Sequence, residues 1–380
     1  MVSTAETRVR PEKILLAPVT VSPTKPLTPT HVKYLLSLDM IQRATSAFAT
    51  VEMAYHHAVY SGSSQVAGFW EYLDRCHPTL RADELSEEDI GRLYVARHQE
   101  EPVGFEALRP VVRRAESGWT HPVTDRLLSL WEEHYRTLGM LDPGLGRGRP
   151  DLLPVDDLIE LLVSRDLCVD GRPLKAPVYL DGTAAGLALR PVLSAQGQPN
   201  YLLYLLRELV PIVFRYDLVV LAHDVELRAD YRTVAHILER LGARVTRFEV
   251  PRVPLDGITR SARSGGWEGY TIGALREPLL SRYGPQAFRL GLRLYLVAGL
   301  GRTARQSFSA EQLHRWVRRA ERLLQAPAGD TAQATAYLER LTGHRGYADP
   351  YRVATALLSR GDDVPVRGLL DIINGENEEQ

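Results

Sequence analysis

Asp217-Leu218-Val219-Val220-Leu221-Ala222-His223-Asp224 is an almost wholly apolar run that ends in a polar pair, the pattern of a strand buried on both faces. The segment 229–241 behind it carries apolar residues at helical spacing and stops at Gly242, a residue that takes a left-handed cap without strain. A further strand is expected at 244–251. Strand, helix and strand in that order make a βαβ unit, so the fold class is α/β with a parallel, doubly wound sheet.

The same order opens the chain. Residues 14–21 are a β-branched and aliphatic run, read as a buried strand. The turn-rich connector Ser22-Pro23-Thr24-Lys25-Pro26-Leu27-Thr28-Pro29-Thr30 follows, then a helix over 31–50 and a second strand within 51–60. From 69 to 167 the strand signal disappears, and amphipathic segments such as 127–138 and 155–164 predict a helical insertion. The loop Asp142-Pro143-Gly144-Leu145-Gly146 imitates a phosphate loop but lacks the following Lys-Ser/Thr and a preceding strand. Strands return at 177–180 and 188–193, a helix covers 201–210, and beyond Gly284 the chain is helical. Four parts are expected: 1–68, the first half of a catalytic domain; 69–175, a mainly helical insertion; 176–285, its second half; and 286–380, a C-terminal helical domain.

Composition narrows the function. The 380 residues are 44% hydrophobic and 24% charged, with a formal net charge of −1, which argues against a globally basic nucleic-acid-binding surface. Lysine occurs only at Lys13, Lys25, Lys33 and Lys175, so an anion would be held mainly by planar guanidinium groups. The two cysteines, Cys76 and Cys168, exclude a disulfide scaffold and a cysteine-rich zinc site and fit a cytoplasmic protein. No apolar run approaches the roughly 20 residues of a membrane helix, so no membrane is expected as partner.

Ligands of an open parallel sheet bind at the carboxyl ends of its strands. Three stretches fall there. Thr28-Pro29-Thr30-His31 opens a helix, where backbone N–H groups attract phosphate; the same residues could equally be a prolyl turn with a threonine cap. His223-Asp224 ends a strand, where an acid can accept ribose hydroxyls or simply terminate pairing. Arg260-Ser261-Ala262-Arg263-Ser264, followed by Gly265-Gly266, reads as a mobile cationic flap able to close on a reacting phosphate, or as a solvated basic loop.

Taken in order, these elements resemble the class I aminoacyl-tRNA synthetases, with the methionyl, cysteinyl and arginyl branches nearest. Thr28–His31 stands where that family carries its HIGH signature, with threonine for the first histidine and Thr30 for the glycine. Arg260–Ser264 stands where it carries KMSKS, with arginine at both lysine positions. Gly197-Gln198-Pro199-Asn200-Tyr201 resembles the family's DGTPTY stretch, Tyr283–Arg289 its YGPDALR segment, and Phe308–Leu313 its FSEEAL segment.

The resemblance implies a Rossmann-like (HUP-type) parallel sheet with a helical insertion and a C-terminal helical stem. It further implies an ATP-dependent ligase that activates an amino acid as its adenylate, with Mg2+ accompanying ATP. His31, Arg260 and Arg263 would be catalytic. Thr28, Thr30, His223, Asp224 and Ser264 would bind the nucleotide. Thr20, Ser22, Tyr55, His56, His57 and Tyr60, near the ends of the first strands, would meet the amino acid; no protein-held metal is expected. The segment after Leu324 is short for an anticodon-binding domain, which favours a small amine or hydroxylamine acceptor over tRNA. Two alternatives stand: a tRNA-charging or tRNA-binding paralogue using Arg302, Arg305, Arg315, Arg318, Arg319 and Arg322, and a catalytically silent nucleotide-binding paralogue.

Overall fold

Residues 12–18, 21–303, 305–327, 329–359 and 363–375 are described by the computed structural model. The chain begins with β1 (Lys13–Ala17), α1 (Pro29–Ser46) and β2 (Thr50–Met53). Six helices or strands of the middle region follow: α2 (Ser64–Cys76), α3 (Glu87–Gln99), α4 (Phe105–Glu116), α5 (Pro122–Leu138), α6 (Val155–Val163) and β3 (Cys168–Asp170). Next come β4 (Val178–Leu180), β5 (Arg190–Leu193), α7 (Tyr201–Leu209), β6 (Leu218–Asp224), α8 (Arg228–Arg240) and β7 (Val245–Val250). The remainder is helical: α9 (Ile272–Tyr283), α10 (Pro285–Leu294), α11 (Ala310–Leu324), α12 (Thr331–Leu341), α13 (Pro350–Leu358) and α14 (Val366–Asn374).

The expected parallel sheet forms, in the order β2-β1-β6-β7 with every pair parallel. Alternate residues of β1 and β6 enter different cores. Ile14, Leu16, Leu218 and Val220 face a core shared with α1 and the C-terminal helices, whereas Leu15, Ala17, Val219 and Leu221 face one shared with α7 and α8. This two-sided burial is why β6 reads as a nearly continuous apolar run. Helix α8 ends as expected: Gly242 has φ +107°, its N–H donates to Glu239 O, and Ala243 N–H donates to Leu238 O, a Schellman cap.

Two strand expectations are corrected. The strand expected over 14–21 ends at Ala17, since Pro18 offers no N–H to the ladder. The strand expected over 51–60 ends at Met53, because β2 is an edge strand whose only partner among the described residues is β1; after Ala54 N–H reaches Leu16 O the chain turns into a single 3-10 turn, His57–Tyr60. The strands expected at 177–180 and 188–193 form as β4 and β5 but do not join the parallel sheet. They pair antiparallel with each other, as their short connection requires, and β4 also pairs antiparallel with β3. The loop at 142–146 is a plain turn, closed by Asp142 Oδ1 accepting from the N–H groups of Gly144 and Leu145.

Helix α3, part of the helical middle region, touches both loops that matter to the sheet's edge. The buried carboxylate of Glu87 accepts from Leu27 N–H (2.7 Å) and Trp131 Nε1 (3.2 Å) and lies 2.7 Å from His134 Nε2. Glu88 accepts from the Thr271 hydroxyl (3.1 Å). Gly91 has no side chain to spare: a Cβ there would lie 2.2 Å from the Trp267 ring and 2.8 Å from Pro26. None of the helices among the described residues is long and apolar enough to cross a membrane.

Asp39 on α1 pins three elements together. Its carboxylate accepts from Arg43 Nε (3.2 Å), from Arg293 of α10 (2.8 Å) and from Leu141 N–H (2.9 Å). Arg293 is 1% exposed and also donates to Leu138 O and Gly139 O at the end of α5. Asp39→Ala would leave that buried guanidinium without its counter-charge, and urea unfolding should show a loss of about 3–5 kcal/mol. A loss below about 1 kcal/mol would show that the cluster does not hold the helices together.

Candidate active site

The sheet order reverses between β1 and β6, and the crevice outside their carboxyl ends is where a ligand is expected. A cavity of about 680 Å³ opens there, with a smaller one of about 180 Å³ beside it and a third of about 320 Å³ adjoining. Two of the three sequence-predicted stretches meet directly in the smaller cavity, where Thr30 and His31 from α1 face His223 and Asp224 from β6. The large cavity adds Thr28 on one side and Arg260, Ser261, Ala262 and Arg263 on the other.

Thr28 caps α1. Its backbone N–H donates to His31 Nδ1 (3.2 Å), and its hydroxyl lies 3.1 Å from the same nitrogen. Burial, then the charges of Lys25 and Arg252, hold the imidazole down to about 3 despite the Pro26 carbonyl. The ring is therefore neutral at ordinary pH. Thr30 is spent differently: its hydroxyl accepts from Val253 N–H (3.0 Å), tying α1 to the segment after β7.

Asp224 ends β6 and turns the chain, with Oδ1 accepting from Glu226 N–H (3.0 Å) and Oδ2 from Arg252 Nε (2.6 Å). Its neighbour His223 is buried, donates from Nδ1 to Asp224 O (2.8 Å) and stacks on Tyr231 with ring centroids 4.6 Å apart. Burial lowers its imidazole below the ordinary value. Its other nitrogen has no hydrogen-bond partner among the described residues and lies 4.0 Å from the Glu249 carboxylate.

Arg260 and Arg263 are exposed and face the large cavity. The expected mobile flap has a fixed base. Trp267, 1% exposed, donates from Nε1 to Ala262 O (2.9 Å) and wedges against Gly91 of α3. Arg263 lies near Tyr94 and His98 of the same helix, where its charge opposes protonation of His98 and ionisation-suppressing burial at Tyr94. Ser264 is exposed at the end of the turn, and its N–H donates back to Ser261 O (2.9 Å); it does not line the cavity.

Of the residues expected to meet an amino acid, Ser22 and Tyr60 line the third cavity. Thr20 lies outside the described residues. Tyr55, His56 and His57 are placed elsewhere, because β2 ends early and the chain turns away from the sheet's edge. Tyr55 is fully buried in the core, His56 Nδ1 is 2.6 Å from Glu208, and His57 is buried with its imidazole pushed down to about 4.

The structure adds residues that the sequence did not single out. Lys25, Arg97 and Arg252 line the large cavity, so with Arg260 and Arg263 it has five cationic side chains against the carboxylates of Glu100 and Asp224. Burial, then Arg252, lowers the Lys25 amine to about 8. Lys25, one of four lysines and inside the turn before α1, and Arg252, at the tip of β7, could have been found by the strand-end rule. Arg97 had no such signal, being one helical arginine among many. Such an arrangement suits a polyanion bearing several charges. Among the described residues no cluster of His, Cys, Asp and Glu could hold a metal ion.

No family model and no curated protein matches the sequence. Solved structures do. Arginyl-tRNA synthetase from Thermus thermophilus matches 96% of this chain and 80% of that chain at 16% identity, with a TM-score of 0.57. The arginyl-tRNA synthetase of Plasmodium falciparum matches 96% of this chain and 74% of that chain at 9% identity, with a TM-score of 0.61. At such identities the likeness speaks for the fold, and over nearly its whole length this chain has the fold of a class I aminoacyl-tRNA synthetase-like protein.

Proposed function

We propose that the protein is an ATP-dependent ligase that activates an amino acid as its adenylate and passes it to a small amine or hydroxylamine. The observation that carries this reading is the five-cation cavity at the sheet's switch point, next to an uncharged one. ATP supplies an electrophilic α-phosphorus and pyrophosphate as leaving group, and Mg2+ would arrive on its phosphates. The His31 imidazole and the N-terminus of α1 would meet the phosphate oxygens. Arg260 and Arg263 would meet the charge that develops on the reacting phosphorus and departing pyrophosphate. Asp224, at the tip of β6, would stand near the ribose.

A second reading, tRNA charging, is favoured by a likeness that extends through the C-terminal helices. Arg315, Arg318 and Arg322 are exposed on one face of α11. Several arginines of that surface are engaged within the protein: Arg315 pairs with Glu311, Arg302 pairs with Asp349, and Arg319 donates to Leu358 O (2.9 Å). A tRNA complex with a steep salt dependence would favour this second reading.

Amino-acid-dependent exchange of labelled pyrophosphate into ATP tests the activity, and absence of exchange with every amino acid would overturn it. In that assay Arg263→Ala should lower kcat by about 100- to 1000-fold while amino-acid affinity changes little; an unchanged rate would remove the loop from the chemistry. Binding of ATP should also take up protons. A polyanion beside Lys25 raises its depressed amine toward the ordinary lysine value, so near pH 8 about half a proton should be absorbed per site. Calorimetry in buffers of different ionisation enthalpy measures the uptake, which Lys25→Met should abolish.

A further inference from the structure

The third cavity, about 320 Å³, differs from its neighbour in having no charged residue in its lining. Its walls include the rings of Tyr60, Tyr201 and Tyr231, with Ser22, Gln65 and Asn200 supplying hydroxyl and amide groups. It adjoins the small cavity through Pro18, Ser22, Leu227 and Tyr231, and the five-cation cavity through Ser64 and Gln65. A carboxylate directed at the cationic side would therefore leave its own side chain among the tyrosines.

Acidic groups near these rings do not line the cavity, although Oε2 of the buried Glu208 has no hydrogen-bond partner among the described residues. Asp230 accepts from the Tyr201 hydroxyl (2.5 Å) and lies 3.4 Å from Arg190. Glu208 is buried, with one oxygen 2.6 Å from His56 Nδ1. Burial, then the Glu208 charge, raises the Tyr60 phenol well above its ordinary value, and burial with the Asp230 hydrogen bond does the same for Tyr201. Both phenols stay neutral and act as dipoles. A guanidinium or ammonium placed here would lose its water without meeting a carboxylate in the cavity's lining, whereas an uncharged polar or aromatic side chain would find ring faces and hydrogen-bonding groups.

From this lining we infer that the acid activated by the protein is an amino acid with an uncharged side chain, and not the arginine for which its structural neighbours are named. The inference rests on the proposed adenylating activity. Its test is a panel of amino acids in pyrophosphate exchange, with binding of each amino acid to the full-length protein followed in parallel by calorimetry. A neutral amino acid is expected to exceed arginine and lysine by about 100-fold in kcat/KM. Gln65→Glu, which puts a carboxylate into the cavity, should move the ratio of arginine to neutral substrate upward by about tenfold. Exchange or binding that favours arginine or lysine in the wild type would overturn the inference and leave the activity standing. Binding of a neutral amino acid without exchange would support the assignment of the cavity to an uncharged side chain and overturn the activity. A protein that neither exchanges nor binds any amino acid overturns both, as an unmoved ratio in Gln65→Glu overturns the assignment of the cavity.

Discussion

The pairing of β1 with β6 is the contact on which the site depends. These strands are neighbours in the sheet although about 200 residues separate them, and Asp217 reinforces the join by accepting the N–H groups of Glu12 and Lys13. Because both run parallel, their carboxyl ends lie on one edge. Because β2 lies outside β1 and β7 outside β6, the connections leave that edge in opposite directions and open a crevice between them. Every residue of the cationic cavity that comes from the sheet's connections, from Lys25 and His31 to Asp224 and Arg252, is there by virtue of this one pairing.

A sheet edge alone would leave the crevice open on its far side. Helix α3 closes it, and consecutive residues of that helix divide the work: Glu87 holds the turn before α1 and Glu88 holds the start of α9. Gly91 then lets Trp267 and Pro26 meet over the helix, so the two loops share one support. The charge pattern follows from the same packing. Lys25 is half-buried; burial, then the Arg252 charge, depresses its amine, and burial, then the charges of Lys25 and Arg252, keeps His31 neutral. A polyanion placed there would offset this crowding of positive charge.

Local grammar carried the parallel strands well, because β6 and β1 are apolar on both faces and their helices have clear stops such as Gly242. Pairing partners were less legible. Strand length in β2 is set by where β1 ends, and the placement of β4 and β5 is set by a connection too short for a crossover, neither of which periodicity reports. The same limit explains the site. Thr28, His31, Asp224, Arg260 and Arg263 could be located from strand ends and order in the chain, and the structure brings them around one cavity. Tyr55, His56 and His57 lie away from that cavity because β2 ends at Met53 and the chain then turns into the His57–Tyr60 turn. Arg97 reaches the cavity only through the tertiary placement of α3, to which no local pattern points.

The central claim is that a carboxylate attacks the α-phosphorus of ATP in this crevice, and oxygen isotopes follow that bond directly. The substrate amino acid labelled with oxygen-18 in its carboxylate is turned over with ATP and hydroxylamine as acceptor. Attack at the α-phosphorus leaves one labelled oxygen on AMP when the acyl group moves to the acceptor, and mass spectrometry of the AMP should find it there. AMP without label, or label in inorganic phosphate released beside ADP, would contradict the account.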